Sequence, residues 1–202
     1  MKIIMEKELR EKQCIQEGQY VFPYHYLDLA SDEHRMLWGV EYLACLEVVK
    51  KLLQEGGGKF VLDAGCGDGR FCYEISKMGM RVIGVDLSQR AIGFAKSFNP
   101  EVEFFIQDLE HLDLPYKFDS VILIDVIEHL LPSDISKVLL CISKSLKPRG
   151  KLIVTAPSKK TPLIKKHYQH FTKDGLIESV GPGFKVIKVV GISKIGRQRT
   201  IF

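Results

Sequence analysis

Residues 59 to 69 read Lys-Phe-Val-Leu-Asp-Ala-Gly-Cys-Gly-Asp-Gly, and a second apolar run, Arg81-Val-Ile-Gly-Val-Asp86, follows. A short apolar run that breaks into closely spaced glycines describes a buried strand and then a turn that opens a helix. A second strand ending in a carboxylate, about 20 residues beyond the turn, makes this the nucleotide-binding half of an open parallel sheet. The glycines at 65, 67 and 69 are spaced G-x-G-x-G, not the G-x-G-x-x-G of dinucleotide sites. One carboxylate, Asp63, stands at the strand tip just before the first glycine, and Asp68 lies within the turn.

Those carboxylates choose among nucleotides. A pyrophosphate needs a helix N-terminus without competing negative charge, and Asp63 and Asp68 would both repel it. A carboxylate at the strand tip suits a cation instead, such as the ammonium of an amino acid. Asp86 is placed to accept from both hydroxyls of a ribose. A ligand with a ribose, an amino-acid group and no phosphates is S-adenosylmethionine. The competing reading is a glycine turn that only packs helix on strand.

Beyond the turn the chain alternates strand and helix. Strands are expected at 59–64, 81–86, 101–107, 119–125, 150–156 and 184–191, with helices near 69–78, 88–98, 133–146 and 172–180. Ser88 and Ser133 are the expected caps. Runs as apolar as Val121-Ile-Leu-Ile124 belong to strands buried on both faces, as parallel sheets require. Right-handed crossovers then wind the sheet doubly. Upstream, residues 1–17 read as a polar helix and 18–30 as an irregular aromatic segment. A further helix is expected from a Ser31 cap to about Glu55, stopped by Gly56-Gly57-Gly58.

At 202 residues the expectation is one domain, with 1–57 as a helical cap and 58–202 as the cofactor-binding core. A net charge of +4 is too small to argue for nucleic acid. The first ten residues carry charges throughout, and no apolar run approaches the roughly 20 residues of a membrane span. Five cysteines without a C-x-x-C pair read as reduced thiols. Together these features predict a cytoplasmic chain.

From about residue 58 to 157 the sequence resembles the class I S-adenosylmethionine-dependent methyltransferases. The resemblance is carried by Val61-Leu-Asp-Ala-Gly-Cys-Gly-Asp-Gly69, Gly84-Val-Asp-Leu-Ser88, Gln107-Asp-Leu109, Phe118-Asp-Ser-Val-Ile-Leu-Ile-Asp125 and Leu146-Lys-Pro-Arg-Gly-Lys-Leu152, in that order. It implies a Rossmann-like α/β fold with S-adenosylmethionine as cofactor and S-adenosylhomocysteine as product. Asp63 and the backbone of Ala64, Gly65, Cys66 and Gly67 would hold the methionyl part. Asp86 would hold the ribose, with Leu87 on the adenine face. Asp108 would accept from the adenine amine, with Leu109 donating its N–H, and Ile124 and Asp125 would line the floor beside the sulfonium. Other readings stay open for Asp108, as a turn carboxylate, and for Asp125, as a cap of the following turn.

Methyl transfer asks a protein mainly to position the acceptor and exclude water. The place to look is the end of the fourth strand, Asp125-Val-Ile-Glu-His-Leu-Leu-Pro132. It lacks both the Asn/Asp-Pro-Pro-aromatic motif of amino-methylating DNA enzymes and the Pro-Cys of cytosine C5 enzymes, so DNA is not the expected partner. His129 is the candidate general base, or else a histidine supporting the 155–157 loop. A second cluster, His167-Tyr168-Gln169-His170-Phe171, should return over the same strand ends. It makes His170 a second catalytic candidate and His167 a substrate contact. Tyr24, His25 and Tyr26 are expected to fold over the site as a lid and touch substrate, the alternative being an edge packed on the domain.

Asp125-x-x-Glu128-His129 with a later His170 also resembles the metal-binding pattern of small-RNA 2′-O-methyltransferases. That would make Asp125, Glu128, His129 and His170 ligands of a divalent ion.

The resemblance thins at the C-terminus. The family's sheet ends with a sixth strand and an antiparallel seventh, and after 184–191 only Ser193 to Phe202 are left. Those residues suffice for barely a stub of strand, so either the seventh strand is expected to be missing or the chain is a shortened product. An exposed strand edge could pair with a second copy, so monomer and homodimer are both open. The sequence as a whole predicts O-methylation of a small-molecule, lipid-linked or sugar-linked acceptor. Two rivals are a non-catalytic S-adenosylmethionine-binding module and a nicotinamide-dependent oxidoreductase, the latter disfavoured by Asp63.

Overall fold

The computed structural model describes residues 11–30 and 40–192. The expected Ser31 cap, the start of the polar helix and the tail from Ser193 lie outside them. Helix α1 is Glu11–Gln19; a 3-10 turn, Tyr24–Tyr26, leads into the short α2, Leu27–Ala30; and α3 is Val40–Gly56. The chain then alternates as predicted: β1 Phe60–Ala64, α4 Arg70–Lys77, β2 Arg81–Asp86, α5 Gln89–Phe98 and β3 Glu103–Ile106. It continues with β4 Phe118–Ile124, α6 Ile135–Ser145, β5 Leu146–Thr155 and α7 Lys173–Val180.

The strands form one sheet in the order β3-β2-β1-β4-β5, every pairing parallel. The order reverses direction between β1 and β4, which opens a crevice at their carboxyl ends. Alternation along each strand sorts side chains between two layers. Val61 and Ile122 face Val49 and Leu53 of α3 and Cys72 and Ile75 of α4. Leu62, Val121 and Leu123 face Val138, Leu139 and Ile142 of α6. Each such fully buried aliphatic side chain contributes about 1.5–3 kcal/mol relative to exposure.

Local signals explain most of the boundaries. Ser88 caps α5 by accepting from the Ala91 N–H at 3.0 Å, as predicted, and Thr172 caps α7 by accepting from Gly175 N–H at 3.1 Å. Ser133 does not cap α6. The helix starts one residue later, and the Ser133 hydroxyl instead donates to Asp134 Oδ1 at 3.0 Å. Asp119 fixes the entry to β1, since its Oδ2 accepts from the N–H groups of Lys59 and Phe60 at 3.1 and 3.0 Å. Strand β5 begins earlier than expected because Leu146 pairs with Phe118 and Lys151 with Ser120, with 147–150 bulging between.

The predicted sixth strand does not form. Residues 184–191 take no regular structure and pair with no strand of the sheet, and Val186, Ile187 and Val189 are exposed. The alternation of lysine and apolar residues there satisfied a strand pattern, yet strand formation depends on a neighbour to pack against. All five cysteines are free. Among the described residues no helix is long and apolar enough to cross a membrane.

Candidate active site

A cavity of 790 Å³ opens at the carboxyl ends of β1, β2, β4 and β5, a size typical of small-molecule sites with room for two reactants. Strand tips supply Asp63, Asp86, Ile124, Asp125 and Thr155, while Gln16 and Glu17 of α1 with Tyr20, Tyr24 and His25 line the opposite wall.

The glycine turn is built as its sequence demands. Gly65, Gly67 and Gly69 take φ of +85°, +55° and +83°, which L-residues rarely adopt. The N–H groups of Gly65 and Cys66 both donate to the Val85 carbonyl, at 2.7 and 3.0 Å, folding the turn over β2. Asp86 ties the two loops together: Oδ2 accepts from Gly67 N–H and Oδ1 from Ser88 N–H, each at 2.8 Å. A carboxylate has about four lone-pair sites, so Asp86 can still accept from a diol. Burial raises its pKa.

Asp63 is buried at the tip of β1 and accepts from the Cys72 thiol at 3.3 Å. Burial pushes its carboxyl up to about 7, with Asp86 and Asp68 adding to the rise. Among the described residues no cationic side chain pairs with it. A buried carboxyl poised between its two forms, beside a cradle of backbone, fits an incoming ammonium. Glu17, Asp108, Asp125 and Glu128 line the same cavity. That surplus of carboxyls suits a sulfonium–ammonium ligand and opposes a diphosphate. The residues present therefore fit S-adenosylmethionine.

Leu87, Asp108 and Leu109 line the cavity as expected. Asp108 also caps the 3-10 turn Leu109–His111, accepting from Glu110 N–H at 3.0 Å, so the turn-carboxylate reading is part of its structure. Ala64 is not in the wall. Period-2 alternation sends it to the opposite face of β1 from Asp63, where it is fully buried with Leu62 and Val85. Asp125 sits at φ +51°. Its Oδ1 accepts from the Thr155 hydroxyl at 2.8 Å while Thr155 Oγ1 accepts from Asp125 N–H at 3.0 Å, locking the tips of β4 and β5.

Past β4, the 3-10 turn Ile127–His129 presents Glu128 and His129 to the cavity, facing His167. The rings of His129 and His167 meet edge to face at 4.6 Å. Burial pushes Glu128 up to about 8, His129 down to about 3 and His167 down to about 4. All three are then neutral near pH 7, so the 4.0 Å approach of Glu128 to His167 is not an ion pair. His170 lies one step further out and reaches the cluster through a 2.7 Å hydrogen bond to His167. The four residues expected to share a metal do not converge: Glu128 and His129 meet His167, while Asp125 is turned to Thr155 and His170 to His167 and Thr161.

The aromatic segment covers the site as a lid, but not residue by residue as expected. Tyr24 and His25 line the cavity. His25 is fastened by Asp68, whose oxygens accept from its N–H at 3.1 Å and meet Nδ1 at 2.9 Å. Arg70 donates to the His25 carbonyl at 2.9 Å. Asp68 thus serves the lid rather than the ligand. Tyr26 points away from the cavity. It is buried against Phe98, and its hydroxyl accepts from Asn99 Nδ2 at 2.9 Å. Helix α1 closes the mouth: Lys12 donates to the His167 carbonyl, and Lys166 Nζ donates to Gln19 Oε1 at 3.0 Å. Sequence reasoning missed Gln16, Glu17, Tyr20 and Thr155, since a polar helix and a strand-end threonine carry no motif.

Residues 62–154 match the family described as "Methyltransferase domain". A ubiquinone biosynthesis O-methyltransferase of Bradyrhizobium diazoefficiens is 36% identical over 103 residues, 49% of this chain and 40% of that protein. The chain thus matches less than half the length of this curated relative. A Pyrococcus horikoshii protein of solved structure is 34% identical, with a TM-score of 0.55 over 68% of this chain and 64% of that one. The magnesium protoporphyrin IX methyltransferase of Synechocystis, solved with S-adenosylmethionine, shares the fold with a TM-score of 0.66, covering 94% of each chain at 22% identity. With the G-x-G-x-G turn and the 3-2-1-4-5 parallel sheet, residues 62–154 are a methyltransferase domain of the Rossmann-like, S-adenosylmethionine-dependent type.

Proposed function

We propose that this chain transfers the methyl group of S-adenosylmethionine to an oxygen of a small-molecule acceptor, free or carried on a lipid or sugar. The observation that carries the reading is the pairing within one cavity of two carboxyl sites at the glycine turn with a neutral histidine, His129, past the end of β4. The named activity of the Bradyrhizobium relative points to oxygen as well.

Bound S-adenosylmethionine supplies an electrophilic methyl group on a sulfonium. Asp63 ionises to meet the ammonium, and Asp86 accepts from the ribose hydroxyls, with Leu87 and Leu109 packing the adenine. Ile124 and Asp125 form the floor beside the sulfur. The roof of α1, Tyr20 and Tyr24 excludes water, which would otherwise compete as a nucleophile.

An acceptor hydroxyl must lose its proton as the new bond to carbon forms. His129 is neutral and presents a lone pair to receive it, with a basicity that burial lowers. His170 also lines the cavity but meets the cluster through its hydrogen bond to His167, which makes it a positioning residue.

Labelled S-adenosylmethionine offered with a phenol and with the matching aniline tests the choice of atom. Label is expected in the ether product of the phenol. Label only in the N-methyl product overturns the oxygen assignment, and no label in either product or in any fraction of a cell extract overturns catalysis.

A further inference from the structure

The protons on the histidine cluster can be placed from the groups around it. The Thr161 hydroxyl donates to the Ser158 carbonyl at 2.7 Å, so its oxygen acts toward other groups as an acceptor. His170 Nδ1 faces that oxygen at 3.2 Å and the Thr161 carbonyl at 3.1 Å. Both only accept, so Nδ1 of His170 carries the proton and Nε2 the lone pair. That lone pair meets His167 Nδ1 at 2.7 Å, which must then be the donor. His167 Nε2 is left with a lone pair, on the side toward Glu128 at 4.0 Å.

His129 reaches the same result independently. Its Nδ1 is 3.2 Å from the Lys166 carbonyl, so Nδ1 donates and Nε2 holds the lone pair. Glu128 is 1% exposed, and its Oε2 is buried without any hydrogen-bond partner. An orphaned buried carboxyl oxygen is costly, so the arrangement needs a reason. One ligand atom from each of Glu128, His129 and His167 lies within 4.8 Å of the others, all lining the cavity. With Glu128 ionised, the three side chains offer only acceptors toward one another, and what satisfies such a set is a cation.

We propose that Glu128, His129 and His167 bind one first-row divalent metal ion, held through His129 Nε2, His167 Nε2 and the Glu128 carboxylate. Two imidazoles and one carboxylate are a donor set for zinc-like and iron-like ions with open positions. Bonds of about 2.0–2.2 Å set tetrahedral ligands roughly 3.4 Å apart, so the three side chains draw in by about an ångström on binding. The hydrogen bonds from His129 to Lys166 O and from His167 to His170 are the outer contacts that hold ligand histidines in one tautomer. The set includes His167 and leaves out Asp125 and His170. Three protein ligands leave a position open toward the cavity, where an acceptor hydroxyl oxygen would ligate the ion at a lowered pKa and release its proton to solvent, in place of transfer to His129, whose Nε2 lone pair the ion takes. That last step rests on the methyl-transfer reading; the metal site does not.

The test uses the full chain, stripped by chelator and titrated with Co(II). One equivalent is expected to bind, with visible d–d bands, and Zn(II) is expected to displace it. His167→Ala and Glu128→Gln should each raise the Co(II) Kd more than about 100-fold, and His170→Ala by about 10–100-fold, the range for lost outer contacts. S-adenosylhomocysteine should still raise the Tm of all three variants, which shows them folded and tests the cofactor reading separately. Absence of stoichiometric Co(II) uptake by the parent chain overturns the site, as does equal uptake by Glu128→Gln. Loss of the S-adenosylhomocysteine response in the parent chain overturns the cofactor reading and leaves the metal result to stand alone.

Discussion

An Asp63→Asn chain is expected to melt higher than the parent at pH 8 and to bind S-adenosylhomocysteine far more weakly. Both effects come from one buried carboxyl. Its pKa is pushed from 3.8 to about 7 by burial first and by Asp86 and Asp68 after it. An acid whose folded pKa lies above its unfolded value holds its proton more tightly in the folded state. It therefore costs no stability below about pH 4, and its penalty grows as pH rises through about 7. At 1.36 kcal/mol per unit the full penalty is at most about 4 kcal/mol. Relaxation and water entry reduce it, so a gain of about 1–3 kcal/mol is expected for the amide. The difference in Tm between parent and variant should widen between pH 4 and 8, which isolates Asp63 from Glu128, whose pKa is raised in the same sense. Removing one partner of a buried ion pair costs about 2–5 kcal/mol. The ligand should thus lose at least about 30-fold in affinity, measured by calorimetry. A variant that binds as tightly as the parent removes Asp63 from the ammonium site.

Gly65→Ala is expected to lose about 2–5 kcal/mol of stability and all methyl transfer. At φ +85° an L-residue costs roughly 1–2 kcal/mol. A Cβ there would also stand 2.3 Å from Val126 Cγ2, a short stiff side chain with little room to move. Overpacking of that kind adds about 1–3 kcal/mol. Val126 directly precedes the turn that presents Glu128 and His129, so a shift there moves the catalytic end of the cavity. Gly79→Ala is the control. Its φ is +74°, but nothing lies within 4 Å of the added atom, so only the backbone penalty should appear. Urea denaturation of both variants checks the contrast; equal losses would show that the Val126 contact does not matter.

The residues that were legible in the sequence are those that face one local constraint. Asp63, Gly65, Gly67 and Asp86 sit where strand ends and a turn fix both conformation and neighbours, and β2 falls at 81–86 as expected. Ala64 is absent from the cavity wall because its side chain takes the other face of the strand, which motif membership alone does not say. The run 184–191 was misread for the opposite reason: its pattern was right for a strand, but the sheet offers it no partner. The link from Thr161 through His170 to His167 spans separate turns and depends on which nitrogen holds a proton, and a linear sequence carries no signal for that. Nor does it show that a polar N-terminal helix would roof the cavity, since α1 buries no apolar side chain that would declare a docking face.

The central claim is that the glycine turn between Asp63 and Asp86 holds a phosphate-free nucleotide bearing an ammonium. Thermal melting of the chain with S-adenosylhomocysteine and with NAD, at equal concentration and pH 7.5, tests it most directly. The Tm is expected to rise with S-adenosylhomocysteine and to be unmoved by NAD. A rise with NAD and none with S-adenosylhomocysteine would contradict it.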